Sequence, residues 1–192
     1  MTLTYEALYA MIKENITGRI GITEDEGHLL HKTISHGDLY LEVGCLWGGT
    51  SILAADKADR VITIDFMMGG FWDSIDPVAK RKPSATHILD NFTKFRVAHK
   101  VSIIKDFSYP FPLPPDIQPD VFLIDGGHSY ECALQDWNTA REITKRAILL
   151  HDFHRGNTHK GVWAMGQEVA MKDPEWELTD HVQSMGLFTR RE

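Results

Sequence analysis

Cysteine is nearly absent. The chain carries only Cys45 and Cys132, too few for a disulfide framework and without the spacing of a zinc site, so both read as small core or near-site residues. Basic charge is also in short supply. Twenty Lys and Arg stand against 27 Asp and Glu, and the formal net charge of -7 disfavours an undirected grip on nucleic acid or on an anionic membrane surface. Long apolar runs are missing. The N-terminal stretch MTLTYEALYAMIKENITGRI mixes charge into every hydrophobic window, so neither a signal peptide nor a transmembrane helix is readable, which points to the cytoplasm. No repeat, low-complexity tract or Gly/Ser linker interrupts the chain. With 192 residues, 43% of them hydrophobic, one sizeable core and a single domain over 1–192 are expected.

What is present is an alternation of helix and strand. Thr23 with Glu26 three residues later is a capping-box pattern, opening a helix that carries Leu29, Leu30 and Ile34 on one face. Strand patterns follow in DLYLEVG, VITIDF, VSIIKDF, VFLIDGG and RAILLHDF, with helical patterns in GGTSILAADKA, SATHILDNFTKFRVA and GVWAMGQEVAMK. Most of these strands are apolar, β-branched runs without strict alternation, as suits a parallel sheet covered on both faces. The C-terminal WELTDHVQSMGLFTRR reads as two short strands about a tight Ser-Met-Gly connection, an antiparallel hairpin at one edge. An open α/β sandwich is expected, with a helical segment at 1–36 ahead of a core at 37–192.

Ligands of such sheets bind beyond the carboxyl ends of the strands. The residues there form a short polar set: Glu42, Gly44, Gly48 and Gly49 after the first strand, then Asp65, then Asp106, then Asp125 and His128, then His151 and Asp152. The glycines of GCLWGGTS permit a tight turn and close approach of a ligand to backbone N–H groups. A P-loop is disfavoured because Thr50 follows Gly49 where the phosphate-binding lysine would stand. Asp65, at the end of the next strand, is placed to take the hydroxyls of a ribose, which implies an adenosine-type cofactor. Hydride transfer is disfavoured: the only Tyr-x-x-x-Lys, Tyr9 to Lys13, lies upstream of the cofactor strand, far from where a short-chain reductase keeps its catalytic pair.

On these residues the chain resembles a known family. The segments ITEDEGHLLHKTI, LEVGCLWGGTSILA, VITIDF, KDFS, VFLIDGGHSYECALQDW, ILLHDF and GVWAMGQE are similar to the class I S-adenosylmethionine-dependent methyltransferases, and among them to the macrocin-type, metal-dependent sugar O-methyltransferases. The resemblance implies a Rossmann-like three-layer α/β sandwich, mostly parallel, with a C-terminal antiparallel hairpin. It also implies roles. Glu42 and Gly44 would border the methionine part of S-adenosylmethionine, with Gly48 in the turn and Trp47 packed beside the cofactor or in the core. Asp65 would bind the ribose, and Asp106 with Phe107 would flank the adenine. Asp125 would border the cofactor and, with His151 and Asp152, match positions that hold a divalent cation, magnesium first and manganese or zinc as alternatives. His151 departs from the family, where an oxygen ligand is usual. His128 matches the general base.

The chemistry is coherent with that pattern. S-adenosylmethionine is an activated methyl donor, so an enzyme must align an acceptor hydroxyl and remove its proton. A hard cation would lower the hydroxyl's pKa and orient it. An imidazole with an ordinary pKa near 6.5 takes a proton at neutral pH. His154 and His159 in HDFHRGNTH are expected to line the substrate mouth; as ligands they would favour zinc or manganese. The long segment 67–83 suits a lid over cofactor and acceptor, or a surface for a partner subunit. The expected acceptor is a small hydroxylated molecule such as a sugar, without nucleic acid or membrane, and self-association into a homo-oligomer is in keeping with the family. Methyl transfer without metal, and a cofactor-binding protein without catalysis, are the alternatives.

Overall fold

A computed structural model describes residues 3–66, 82–156 and 158–191. Two helices lead the chain, α1 (Tyr5–Asn15) and α2 (Glu24–Thr33). The capping box forms as expected: Thr23 Oγ1 accepts the Glu26 N–H, and the Glu26 carboxylate accepts the Thr23 N–H at 2.9 Å. The alternating part then runs β1 (Leu39–Val43), α3 (Gly49–Ala55), β2 (Arg60–Ile64), α4 (Ala85–Lys94), β3 (Val101–Ile104), β4 (Val121–Ile124), α5 (Tyr130–Ile143), β5 (Ala147–Leu150) and α6 (Lys160–Glu168). A 3-10 turn at Ala170–Lys172 leads into the hairpin β6 (Trp176–Val182) and β7 (Met185–Arg190).

The strands form one sheet in the order β3-β2-β1-β4-β5-β7-β6. β1 to β5 are mutually parallel, and β7 pairs antiparallel with both β5 and β6. From β1 the chain moves outward to β2 and β3, then returns to lay β4 on the other side of β1. That reversal is the topological switch point, and it opens a crevice above the carboxyl ends of β1 and β4.

Side chains alternate across the sheet. Tyr40, Val61, Leu123 and Leu149 point toward α1 to α4, in the cluster with Ile12, Leu30, Leu53 and Phe92. Leu41, Val43, Ile62, Phe122 and Leu150 point the other way, in the cluster with Trp137, Val162 and Met165. Because both faces are covered, β4 reads VFLI and is buried throughout. Each of its four side chains contributes about 1.5–3 kcal/mol of burial.

Two details differ from the sequence reading. Helix α5, capped by Ser129 Oγ, fills the interval between β4 and β5 that periodicity left without an element. The hairpin turns at Gln183–Ser184 rather than at Ser-Met-Gly, because Gln183 takes the left-handed conformation (φ 53) and frees Met185 and Gly186 to pair in β7. The 67–81 part of the expected lid lies outside the described residues. Among the described residues no helix is long and apolar enough to cross a membrane.

Candidate active site

The crevice at the switch point holds a cavity of about 750 Å³, lined from the exits of β1, β2, β3, β4 and β5. Such a volume lies in the range of small-molecule and cofactor sites.

Its floor is the turn after β1. Gly44 has φ 93, and a Cβ there would lie 2.0 Å from the Asp125 carbonyl oxygen, so this backbone crosses β4's exit at a distance that only glycine allows. The next amide, Cys45 N–H, donates to Asp65 Oδ2 at 2.7 Å. One carboxylate oxygen of Asp65 thus braces the turn while the residue stays on the cavity wall. Asn91 on α4 holds the same turn from outside, its Nδ2 donating to the Trp47 carbonyl at 2.9 Å. On the β2 and β3 side, Phe66 and Phe107 stack with ring centroids 3.7 Å apart, and Phe107 remains exposed. Asp106 sits beside them and accepts the Phe107 N–H at 2.8 Å.

The opposite wall is made by the exits of β4 and β5. His151 Nδ1 lies 2.8 Å from Asp125 Oδ1, and its Nε2 faces Glu26 Oε2 at 3.6 Å. Burial opposes a charge on this ring, but Asp125, Glu26 and Asp152 around it raise the His151 pKa well above the usual value. Burial would likewise push the Glu26 carboxyl up; hydrogen bonds from His151, Ser184 and the Thr23 N–H outweigh it and hold Glu26 well below the usual carboxylate range. The carboxylates around His151 thus favour its protonated form. Asp152 follows in the left-handed region (φ 59), which turns its side chain toward the start of α6. His128 Nε2 lies 2.8 Å from Asp152 Oδ2, and His159 Nε2 lies 3.9 Å from the same oxygen. The His128 and His159 rings stack at 3.8 Å. Burial and the neighbouring His128 lower the His159 pKa.

Of the residues singled out in the sequence, Gly44, Asp65, Asp106, Phe107, Asp125, His128, His151 and Asp152 all line this cavity. Three do not. Trp47 is fully buried in the α1–α4 core, with the Gly18 backbone against its ring: a Cβ on Gly18 would lie 2.2 Å from it. Gly48 is the left-handed N-cap of α3 and packs on Phe92. Glu42 is fully buried beneath the turn, where it accepts hydrogen bonds from Tyr40 Oη at 2.8 Å and from Ser51 Oγ. Burial raises its pKa to about 7, with those hydroxyls only partly offsetting the effect. Glu42 thus links β1 to α3 beneath the turn and does not reach the cavity lining.

Two contributors escaped the sequence reading. Glu26 was fully accounted for as a capping residue, yet it also accepts Ser184 N–H at 2.9 Å and Ser184 Oγ at 2.6 Å from the hairpin. Phe66 immediately follows Asp65, but nothing in the pattern marked it as the stacking partner of Phe107.

No protein-family model and no curated protein matches the chain. Solved structures match it in fold. Cofactor-bound Rv0187 from MTB superposes with a TM-score of 0.68 at 19% identity, covering 98% of this chain and 90% of that one. The O-methyltransferase TomG from Streptomyces achromogenes, in complex with SAM, gives 0.63 at 16%, covering 89% and 82%. The O-methyltransferase from Bacillus cereus, in complex with SAH, gives 0.62 at 14%, covering 88% and 82%. The fold is thus the Rossmann-like one of the methyltransferases, a mostly parallel seven-stranded sheet ending in an antiparallel pair.

Proposed function

We propose that the chain is an S-adenosylmethionine-dependent O-methyltransferase acting on a small hydroxylated acceptor. The observation that carries this reading is the division of a single cavity into two chemically distinct walls. Gly44, Asp65, Asp106 and the Phe66–Phe107 pair offer close backbone approach, a carboxylate and aromatic surface, the needs of an adenosine. Asp125, His128, Asp152 and His159 offer proton acceptors where an acceptor would sit. Four carboxylates around the cavity also favour a cationic ligand such as the sulfonium. Two of the similar structures are O-methyltransferases in complex with SAM or SAH, which supports the same cofactor here.

The reaction makes an oxygen–carbon bond and breaks the sulfonium–methyl bond. The acceptor oxygen attacks the methyl carbon in line, the electron pair of the breaking bond stays on sulfur, and the hydroxyl proton passes to His128. Asp152, 2.8 Å from His128 Nε2, orients that ring and stabilises it when protonated. With a net charge of -7, a small neutral or cationic acceptor fits better than nucleic acid.

Asp125, His151 and Asp152 bring donor atoms within 4.8 Å of one another, as the resemblance to metal-dependent enzymes implies. They fit magnesium poorly. That ion demands near-octahedral oxygen coordination, whereas His151 already bridges Asp125 and Glu26 through its two nitrogens. The reading therefore rests on His128 and Asp152 without requiring magnesium.

The test is transfer of labelled methyl from S-adenosylmethionine to a panel of polyhydroxylated small molecules. Label should appear on an acceptor oxygen, and His128→Ala should lower the rate by roughly 10²–10⁴ while leaving S-adenosylhomocysteine bound. Cofactor binding with no transfer to any hydroxyl would contradict O-methyl transfer and favour a binding protein.

A further inference from the structure

Asp152 belongs to two donor sets. One is Asp125, His151 and Asp152; the other is His128, Asp152 and His159, whose ligand atoms also lie within 4.8 Å of one another. The second set differs in chemistry and in geometry. It has two imidazole nitrogens and one carboxylate oxygen, and both Nε2 atoms approach a single oxygen, Asp152 Oδ2, at 2.8 and 3.9 Å. A tetrahedral ion with donors at about 2.0–2.1 Å spaces them about 3.3 Å apart, a value those two distances bracket. We infer that the chain binds one first-row transition-metal dication, zinc or manganese in type, through His128, His159 and Asp152.

The fold holds these three side chains in place from three separate elements. His128 stands on the turn after β4, Asp152 just past β5, and His159 at the N-cap of α6. His159 makes no side-chain capping bond to its own helix, and its ring stacks on His128 at 3.8 Å, an arrangement from which the two rings turn apart to present both Nε2 atoms to one ion. Gly161 fixes the spacing between the two. A Cβ there would lie 2.5 Å from Tyr130 N and 2.6 Å from the His128 carbonyl oxygen, so the first turn of α6 presses directly on the backbone that carries His128. Asp152 faces both rings because its backbone is left-handed (φ 59), a conformation kept in folded proteins mainly where the surroundings enforce it.

Donor type decides the ion. Two imidazoles and a carboxylate suit zinc, manganese, cobalt or iron and not magnesium, which prefers oxygen. Among the described residues three protein ligands face the cavity, the number typical of catalytic rather than structural metal sites. His151 is engaged elsewhere: its Nδ1 lies 3.9 Å from Asp152 Oδ2 but 2.8 Å from Asp125 Oδ1, and its Nε2 faces Glu26. With an ion bound, His128 would be a ligand and would give up the base role it has in the ion-free site; the ion would instead supply acidification of a hydroxyl oriented on it.

The site's chemical purpose rests on the methyl-transfer reading, but ion binding is measured without the cofactor. Metal-stripped protein is titrated with Zn²⁺, Co²⁺, Mn²⁺ and Mg²⁺ by calorimetry, and with Co²⁺ also by its visible absorption. S-adenosylhomocysteine binding is measured separately on the same preparation, so that loss of one reading leaves the other standing. One equivalent of Zn²⁺ or Co²⁺ should bind, with a Co²⁺ spectrum showing nitrogen ligation and Mg²⁺ weaker by roughly 100-fold or more. His159→Ala and His128→Ala should each weaken Zn²⁺ at least about 100-fold, with melting temperature checked to confirm folding. Asp125→Asn should leave it nearly unchanged. Equal affinity for Mg²⁺, indifference to His159→Ala, or dependence on Asp125 in place of His159 would overturn the inference.

Discussion

His151 on the β5 exit and Asp125 on the β4 exit are joined by a 2.8 Å ion pair, Nδ1 to Oδ1, that ties the two strands together at the mouth of the crevice. Glu26, 3.6 Å from the other ring nitrogen, extends the tie to helix α2, and its bonds from Ser184 extend it to the hairpin. The site's charged wall is also a joint between four parts of the fold.

The first prediction concerns pH. The folded-state pKa of His151 is raised, so the stability it contributes is complete below its unfolded value near 6.5 and is lost as pH rises through the folded value. In chelator-treated protein the melting temperature should fall as pH is raised above neutral. His151→Ala should remove that slope and cost roughly 3–5 kcal/mol at pH 6, since the facing carboxylates lose their partner. A wild-type melting temperature that rises with pH between 7 and 10 would contradict the protonated ring.

Glu42 predicts a slope confined to lower pH. Its folded pKa of about 7 lies above the ordinary 4.5. As pH climbs through that interval the unfolded chain releases a proton that the folded chain retains, and stability falls. Glu42→Gln should therefore raise stability at pH 8 relative to pH 5, by up to about 3 kcal/mol at 1.36 kcal/mol per unit. Urea denaturation of both proteins at the two pH values checks the difference; equal effects at both would place an ionised Glu42 in the core.

Gly44→Ala should be among the most damaging single-methyl additions. Its φ of 93 and the Asp125 carbonyl oxygen 2.0 Å from the new Cβ are both backbone constraints, which side-chain rearrangement cannot relieve. A loss of roughly 3 kcal/mol or more is expected, read by denaturant titration. Gly37→Ala is the control: its φ is 94 but nothing lies within 4 Å, so it should cost clearly less.

Gly161→Ala should separate the metal site from the rest. Pushing α6 off the His128 turn should weaken Zn²⁺ binding about 10-fold or more while S-adenosylhomocysteine affinity changes little, because Gly44, Asp65 and Phe107 lie on the opposite wall. Parallel loss of both affinities would indicate general disruption instead.

How much of this was readable beforehand follows from the physics of each residue. Asp65, Asp106, Asp125 and Asp152 could be grouped because parallel strands bring all their carboxyl ends to one rim, so identifying the strands identifies the rim. Glu42, inside β1, shares the face of Tyr40 by strand alternation, whereas the way the Trp47 side chain faces depends on the path of the turn. That path is set by distant residues: Asn91, and Gly18 against the Trp47 ring. Glu26 was hidden by its own success as a capping residue, a local explanation that left no sign of its contact with Ser184, 158 positions away. The convergence of His159 on Asp152 depends on the left-handed backbone at Asp152 and the close packing at Gly161, neither of which leaves a periodic trace.

The most direct test of the central claim is calorimetric titration of metal-stripped protein with S-adenosylhomocysteine, for wild type and for Asp65→Ala, with melting temperatures confirming that the variant is folded. One-to-one saturable binding, weakened about 10-fold or more when the charged hydrogen-bond acceptor is removed, is the predicted result. Absence of saturable binding to the wild-type protein would contradict the methyltransferase account and leave only the fold.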